Sequence, residues 1–304
     1  MKYDVGISNA IIVSSHNGYE PFIGSIGVKE TRITCVMHGE IEKEECEIWI
    51  DGTGKILMPG LVNGHCHGDM TLARGLGDDM TLLEQNHAFA DTGWFYTLIN
   101  DEDRFYSRQL TYCEALLSGT TFIMENMYWG LGKESVRAMK EVGIRGALAE
   151  DIRIDFMRPD EFVSGEFLDE YKKQCEEAGL IPVIGGISEE DYETKRLKRI
   201  RDIAGQKGMM ITCHLAENTW RREIVQQRYQ TSAIDYLYHN NLLDENVIGS
   251  HVVYATGEEI HQLAQSNAKV VNTPLCEMKI CDGIAPIPEM VQNGIRVCLG
   301  TDGA

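Results

Sequence analysis

From residue 58 onward, short apolar stretches alternate with longer amphipathic ones, and this alternation limits the fold more than any other feature of the chain. The first stretch, Pro59 to His67, reads as a strand. A long polar and aromatic loop runs to about residue 100. An amphipathic helix then covers Asp101 to Ser118, with Leu110, Cys113, Leu116 and Leu117 expected on its apolar face. Further strands are expected at 120–126, 144–152, 181–187, 209–215, 246–253, 268–273 and 295–301. Helices are expected between them at 133–142, 166–178, 189–206, 219–240, 257–266 and 283–293. Eight strands joined through helices require parallel, right-handed crossovers, and a segment of about 245 residues matches a (β/α)8 barrel. A doubly wound open sheet is the alternative. No Gly-x-Gly-x-x-Gly and no phosphate loop supports it.

Residues 1–57 read as a separate small β unit, half of a sandwich, and residues 58–304 as the barrel domain. Its strands are expected at Val5-Gly6-Ile7, Ile11-Ile12-Val13, Ile23 to Val28, Thr31 to Val36 and Ile48-Trp49-Ile50, divided by Gly, Asn and Asp turn signals. The sequence stops at Gly300-Thr301-Asp302-Gly303-Ala304, the tip of the eighth strand. The last helix of the barrel is therefore expected to be missing from the chain. Either the chain is a fragment or something else covers that apolar side.

Charge narrows the function. The 28 basic residues stand against 47 acidic ones, a net of −19, which removes the basic footprint that nucleic acid requires and speaks against an anionic membrane surface. Nine scattered cysteines follow no secretory segment, and no apolar run approaches a bilayer-spanning length. A cytoplasmic protein with reduced thiols is expected. Cys276 and Cys281 read as core or loop thiols.

Active sites of such barrels lie at the C-terminal ends of the strands. The first strand ends in His65-Cys66-His67, with the two imidazoles on one side and Cys66 on the other. The fifth ends in Thr212-Cys213-His214-Leu215-Ala216-Glu217, the sixth in Ser250-His251 and the eighth in Thr301-Asp302. His214 or His251 alone would read as a satisfied core histidine. Four of nine histidines at strand ends, with an acid on the last strand, instead point to a metal site. His65, His67, His214 and Asp302 suit one divalent ion, zinc first and iron as the alternative, with a position left for water. Such an ion lowers the pKa of a bound water toward about 7. Glu217 is placed to shuttle a proton to a leaving nitrogen, or is a first-turn helix acid favoured by the helix dipole. His251 is expected to polarise the substrate, and Asp302 to accept a proton as well as bind metal. The expected chemistry is hydrolysis at an sp2 carbon. Motifs of zinc peptidases, serine hydrolases, P-loop enzymes and His-x-Glu/Pro-Cys-x-x-Cys deaminases are absent.

The segments PGLVNGHCHGDMTLARGLGDD, EALLSGTTF, GIRGAL, HLAEN, SHVV and GIAPIPEMVQNGIRVCLGTDGA resemble the amidohydrolase superfamily. More narrowly, they resemble the branch acting on cytosine, guanine, adenosine derivatives and triazines. The resemblance spans nearly the whole chain. It implies a (β/α)8 barrel with a small β-sandwich beside it, one divalent metal, a homodimer and loss of ammonia or a similar group from a ring carbon. It implies His65, His67, His214 and Asp302 as ligands and Glu217 and His251 as catalytic. No lysine at the end of the fourth strand is available to bridge a second metal. Family members run on past this point to complete the eighth unit and return to the β-sandwich. Gly185-Gly186-Ile187-Ser188 lacks the histidine that meets the purine in adenosine-derivative deaminases, and Glu150-Asp151 stands where those enzymes carry an arginine. The expectation is therefore a smaller, flat or partly cationic nitrogen compound, stacked by Trp94 or Tyr128-Trp129 and faced by Glu150 or Asp151. A dechlorinating or cyclic-amide hydrolase and a truncated, non-catalytic barrel remain as alternatives.

Overall fold

A computed structural model of the chain describes residues 1–15, 18–91, 99–126, 133–154, 158 and 160–303. The chain divides into two compact units, Met1–Gly60 and Leu61–Ala304. The first is a five-stranded sheet of β1 (Tyr3–Ile12), β2 (Phe22–Lys29), β3 (Arg32–His38), β4 (Cys46–Asp51) and β5 (Ile56–Leu57), ordered β3-β2-β1-β4 with β5 also on β1. The two short N-terminal strands expected from the sequence are one strand. Its register slips between Ile7 and Ala10, where Asn9 adopts a left-handed backbone, so the turn-like signal marks a bulge.

The second unit is an eight-stranded parallel sheet. Its strands are β6 (Leu61–Cys66), β7 (Thr120–Asn126), β8 (Arg145–Asp151), β9 (Ile181–Ile187), β10 (Met210–Leu215), β11 (Val247–His251), β12 (Lys269–Asn272) and β13 (Val297–Leu299), hydrogen-bonded in sequential order. The last strand returns to the first. The backbone N–H groups of Thr301 and Asp302 both donate to the His65 carbonyl at 3.0 Å, and Cys66 pairs with Asp302 in parallel. This approach depends on glycine: a Cβ at Gly300 would lie 2.8 Å from the His65 carbonyl oxygen, and one at Gly64 would lie 2.9 Å from Cys298 Sγ. The fold is thus the nearly closed (β/α)8 barrel that the alternation implies.

Two apolar layers follow from strand alternation. Met124, Ala147, Ala149, Val183 and Val271 fill the barrel interior. Ile123, Leu148, Ile184, Cys213 and Val247, on the opposite side of the same strands, pack with the helices. Those helices are α1 (Leu82–Asp91), α2 (Asp101–Leu117), α3 (Lys133–Val142), α4 (Gly165–Glu177), α5 (Thr194–Lys207), α6 (Thr219–Tyr229), α7 (Ala233–His239), α8 (Gly257–Ser266), α9 (Pro274–Lys279) and α10 (Ile287–Gln292).

Three expectations change. The helix expected over 219–240 is two, because Gln230 ends α6 in a left-handed conformation and Ser232 caps α7 through the Asp235 N–H. The helix expected over 189–206 opens as a single 3-10 turn at Glu189–Asp191 before α5 begins. The buried face of α2 is also not the leucine stripe: Leu110, Cys113, Leu116 and Leu117 are exposed, and Arg104, Phe105, Ser107, Arg108 and Tyr112 are buried. Arg104 and Arg108 reach Asp69 at 3.2 and 3.4 Å, Arg108 Nε donates to Glu125 at 2.7 Å, and the Tyr112 hydroxyl donates to the same carboxylate. Paired charges, not leucines, attach this helix to β7 and to the turn after β6.

Gly300→Ala is expected to force β13 away from β6, lowering stability by about 1–3 kcal/mol. Urea unfolding followed by circular dichroism measures this, and wild-type stability in the variant contradicts the close approach.

Candidate metal centre

The tips of β6, β10, β11 and β13 bring four imidazoles and one carboxylate together. His65, His67 and His214 each offer a ring nitrogen within 4.8 Å of the others, and His65, His251 and Asp302 form a second such set. Asp302 Oδ1 lies 3.2 Å from His67 Nε2 and 3.7 Å from His65 Nε2, and its Oδ2 lies 3.7 Å from His251 Nε2. All four histidines are buried.

Each imidazole is held from behind, which leaves its other nitrogen for the centre. His67 Nδ1–H donates to the Asn126 carbonyl at 2.8 Å. His65 Nδ1 lies 2.8 Å from both Ser250 Oγ and the Asn126 amide. His214 Nδ1 meets Ser188 Oγ at 3.4 Å, and His251 Nδ1 meets Thr273 Oγ1 at 2.9 Å. The nitrogens pointing inward tell the rest: His65 Nε2 and His251 Nε2 are buried with no hydrogen-bond partner among the described residues. A buried imidazole nitrogen without a partner costs about 1–3 kcal/mol, and a cation or its water removes that cost. The donor set of nitrogens and one carboxylate fits a borderline divalent ion.

Electrostatics agree. Burial pulls the His65 imidazole down to about 4. Burial, reinforced by the Arg221 charge, pulls His214 well below its ordinary value. Both are therefore neutral, with lone pairs available, at neutral pH. Burial opposes an Asp302 carboxylate, but the His65 and His67 imidazoles beside it hold it well below the usual range. For His67 burial acts downward and is outweighed by Asp302, so its pKa is raised.

Strand direction explains three of these placements and backbone strain a fourth. His65 and His67 share the interior side opposite Cys66, which packs in the outer layer. His214 alternates with Cys213 and Leu215, both outer-layer residues. Alternation would put His251 on the outer side with Val247, yet its Nε2 lies 3.7 Å from Asp302. Left-handed backbones at His251 (φ 74°) and Val252 (φ 55°) make the difference. Ala216 (φ 49°) and Asp302 (φ 61°) are left-handed too, and non-glycine residues held this way concentrate at functional sites.

Glu217 lies just past β10 and is buried. Its Oε1 is 3.8 Å from His251 Nε2, while Oε2 accepts from Arg221. The sequence reading did not single out Arg221, Asn126, Ser188, Ser250 or Thr273. Arg221 and Glu217 are four apart at the start of α6, a helical ion-pair spacing that was available as a signal. The other contacts join distant segments and leave no sequence trace.

The four proposed substrate contacts fare differently. Trp94 and Tyr128 lie outside the described residues. Glu150 shares the side of Leu148 and Ile152 on β8, which pack with the helices, so it does not face the barrel interior. Burial pushes its carboxyl well above the ordinary value, with Asp151 adding to the effect. Asp151 takes the interior side with Ala147 and Ala149 but is engaged by Arg153 Nη2 at 2.7 Å. An arginine thus follows the third barrel strand after all, and Asp191 at 2.8 Å also holds it.

The amidohydrolase family model matches residues 56–304. The chain is 30% identical over 319 residues to the 5-methylthioadenosine/S-adenosylhomocysteine deaminase of Aquifex aeolicus, covering 100% of this chain and 69% of that protein. It is 33% identical over 269 residues to the 5'-deoxyadenosine deaminase of Methanopyrus kandleri, covering 86% of this chain and 61% of that protein. The chain therefore spans about two thirds of the length of these curated relatives. In fold it is similar to a zinc-bound adenosine deaminase from Xanthomonas campestris, with TM-score 0.86 and 21% identity over 99% of this chain and 69% of that one.

Burial carries the Glu189 carboxyl up to about 7, against the opposing pull of Arg221 and the Ala216 N–H. Its folded pKa thus exceeds its unfolded one. The contribution favours folding fully below about pH 4.5 and is lost as pH rises to about 7. The stability of metal-free wild type relative to Glu189→Gln is expected to fall by about 3 kcal/mol across that window in urea titrations. A pH-independent difference contradicts the assignment.

Proposed function

The chain belongs to the amidohydrolase family, and on that premise we propose that it is a metal-dependent aminohydrolase that deaminates a nitrogen heterocycle. The observation that carries this reading is the pair of buried, partnerless nitrogens on His65 and His251 facing Asp302 among four converged imidazoles. His65, His67, His214 and Asp302 would hold one divalent ion, zinc before iron. Such an ion, when bound, acidifies water toward a pKa of about 7 and polarises the reacting group.

The chain's own residues supply the rest. Asp302, low in pKa and with Oδ2 facing His251, takes a proton from the attacking water. His251 Nε2 donates toward the oxygen that develops on the ring carbon, its Nδ1 steadied by Thr273. Glu217 shuttles that water's other proton to the leaving nitrogen, and the proton held by Asp302 passes to the ring nitrogen. Water oxygen bonds to the sp2 carbon, the carbon–nitrogen bond breaks, and ammonia leaves with the ring carbonyl behind it.

The substrate class follows from the relatives' names, which specify adenosine derivatives, so adenine-ring nucleosides head the candidates, ahead of free bases and triazines. The contact expected from Glu150 is withdrawn, since that side chain faces the helices. The active form is a cytoplasmic homodimer.

Ammonia release from adenosine, 5'-deoxyadenosine, guanine, cytosine and melamine, together with zinc and iron content, tests the proposal. His214→Ala is expected to lose both metal and turnover. Glu217→Gln is expected to keep its metal and lose roughly 100-fold or more in kcat. Full metal occupancy in the His214 variant, or chloride rather than ammonia released from a chlorinated triazine as the only reaction, contradicts it.

A further inference from the structure

Four consecutive residues after β9 each reach toward the neighbouring strand tips. Ser188 Oγ meets His214 Nδ1 at 3.4 Å, and Glu189 Oε1 accepts from the Ala216 N–H at 2.8 Å. Glu190 pairs with Arg221, Oε2 lying 2.8 Å from Nε and Oε1 accepting from Nη2 at 3.0 Å. Asp191 engages Arg153 Nη1 at 2.8 Å. Ser188 and Glu189 act on the bend His214–Glu217, which runs through the left-handed Ala216, and Glu190 reaches it through Arg221.

The fork of Arg221 is divided between two acids. Nη2 donates to Glu190, whose other oxygen lies 2.8 Å from Nε as an ion-pair contact, and Nη1 donates to Glu217 Oε2. Arg221 is buried, and Asn218 Oδ1 fixes its backbone by accepting its N–H at 2.9 Å. Among the described residues Glu217 is thereby hydrogen-bonded through Oε2 alone. The other, Oε1, faces His251 Nε2 and the imidazole cluster. A guanidinium tied to Glu190 through Nη2 and to Glu217 through Nη1 has little freedom to turn, so Glu190, from the fourth barrel unit, bears on the direction of Glu217.

We infer that Glu190, acting through Arg221, is a positioning residue that aims the free oxygen of Glu217 at the leaving group. The inference rests on Glu217 as the proton carrier. Simple neutralisation of a buried acid by Arg221 would need no second carboxylate on the far edge of the guanidinium. Glu190 draws charge away from Glu217 and contributes geometry instead.

The test uses the zinc-loaded full chain with Glu190→Gln, Arg221→Lys, Glu217→Gln and the Glu190→Gln/Glu217→Gln double variant. Turnover is followed on the fastest substrate among adenosine, 5'-deoxyadenosine, guanine, cytosine and melamine. Glu190→Gln and Arg221→Lys are expected to lose roughly 10–100-fold in kcat, since small misplacements of a reacting group cost that much. Their KM stays within about twofold and their zinc content is unchanged, and the Glu190 change has no further effect once Glu217 is glutamine. A crystal structure of Glu190→Gln, which needs no turnover, is expected to have the Glu217 side chain swung away from His251. Wild-type kcat in Glu190→Gln beside an inactive Glu217→Gln overturns the inference alone, as does an unmoved Glu217 in that crystal structure. Wild-type kcat in Glu217→Gln overturns the role of Glu217 and this inference with it.

Discussion

The structure turns on imidazole nitrogens buried without partners. A barrel interior is ordinarily filled by a layer of apolar side chains, and here Met124, Ala147, Ala149, Val183 and Val271 provide it. Directly beyond it the chain gathers four histidines and Asp302 and leaves His65 Nε2 and His251 Nε2 unsatisfied. Polar atoms so placed destabilise the empty fold and are compensated when a cation binds. The neighbouring hydrogen bonds hold the rings in that unsatisfied orientation: Asn126 serves two histidines at once, and Ser250, Ser188 and Thr273 serve one each.

Closure of the barrel belongs to the same arrangement. The His65 carbonyl accepts from Thr301 and Asp302, so the hydrogen bonds that join the last strand to the first also deliver the carboxylate to the histidines. A side chain at Gly300 would hold the two strands apart and take Asp302 with them. On the outer side of the same strands, Asp69, Arg104, Arg108 and Glu125 make a buried charged layer under α2. Burial raises the Glu125 carboxyl to about 7 even though Arg108 opposes it, so this layer depends on both arginines remaining in place. The strand that carries His65 and His67 is thus bordered by polar contacts on both sides.

The amino-acid pattern made the barrel, its strand order and the strand-end histidines legible, because each rests on a period or a short spacing. Alternation placed His65, His67 and His214 correctly. It also separates Glu150 from Asp151: the two are adjacent on β8, so only one of them takes the interior side. The buried face of α2 departs from its leucine pattern for another reason. A stripe of Leu110, Cys113, Leu116 and Leu117 is the usual mark of a buried face, but Arg104, Arg108 and Tyr112 also recur at four-residue steps. Which stripe turns inward was decided by Asp69 and Glu125, two acids on other elements. His251 was found at a strand tip for a reason that did not decide its direction, since the left-handed turn that aims it leaves no periodic signal.

The acids around Arg221 bear on why the fourth and fifth units are coupled. Glu189, Glu190, Glu217 and Asp282 all act on this single guanidinium, and burial lifts Glu189 and Asp282 to about 7. One arginine cannot hold four ionised carboxylates in a buried space. At neutral pH part of that charge is removed by protonation, and Arg221 goes to the acids that touch it, Glu190 and Glu217. Arg221 binds Glu217 through Oε2 and leaves Oε1 turned toward His251, the lone pair that a proton carrier works with.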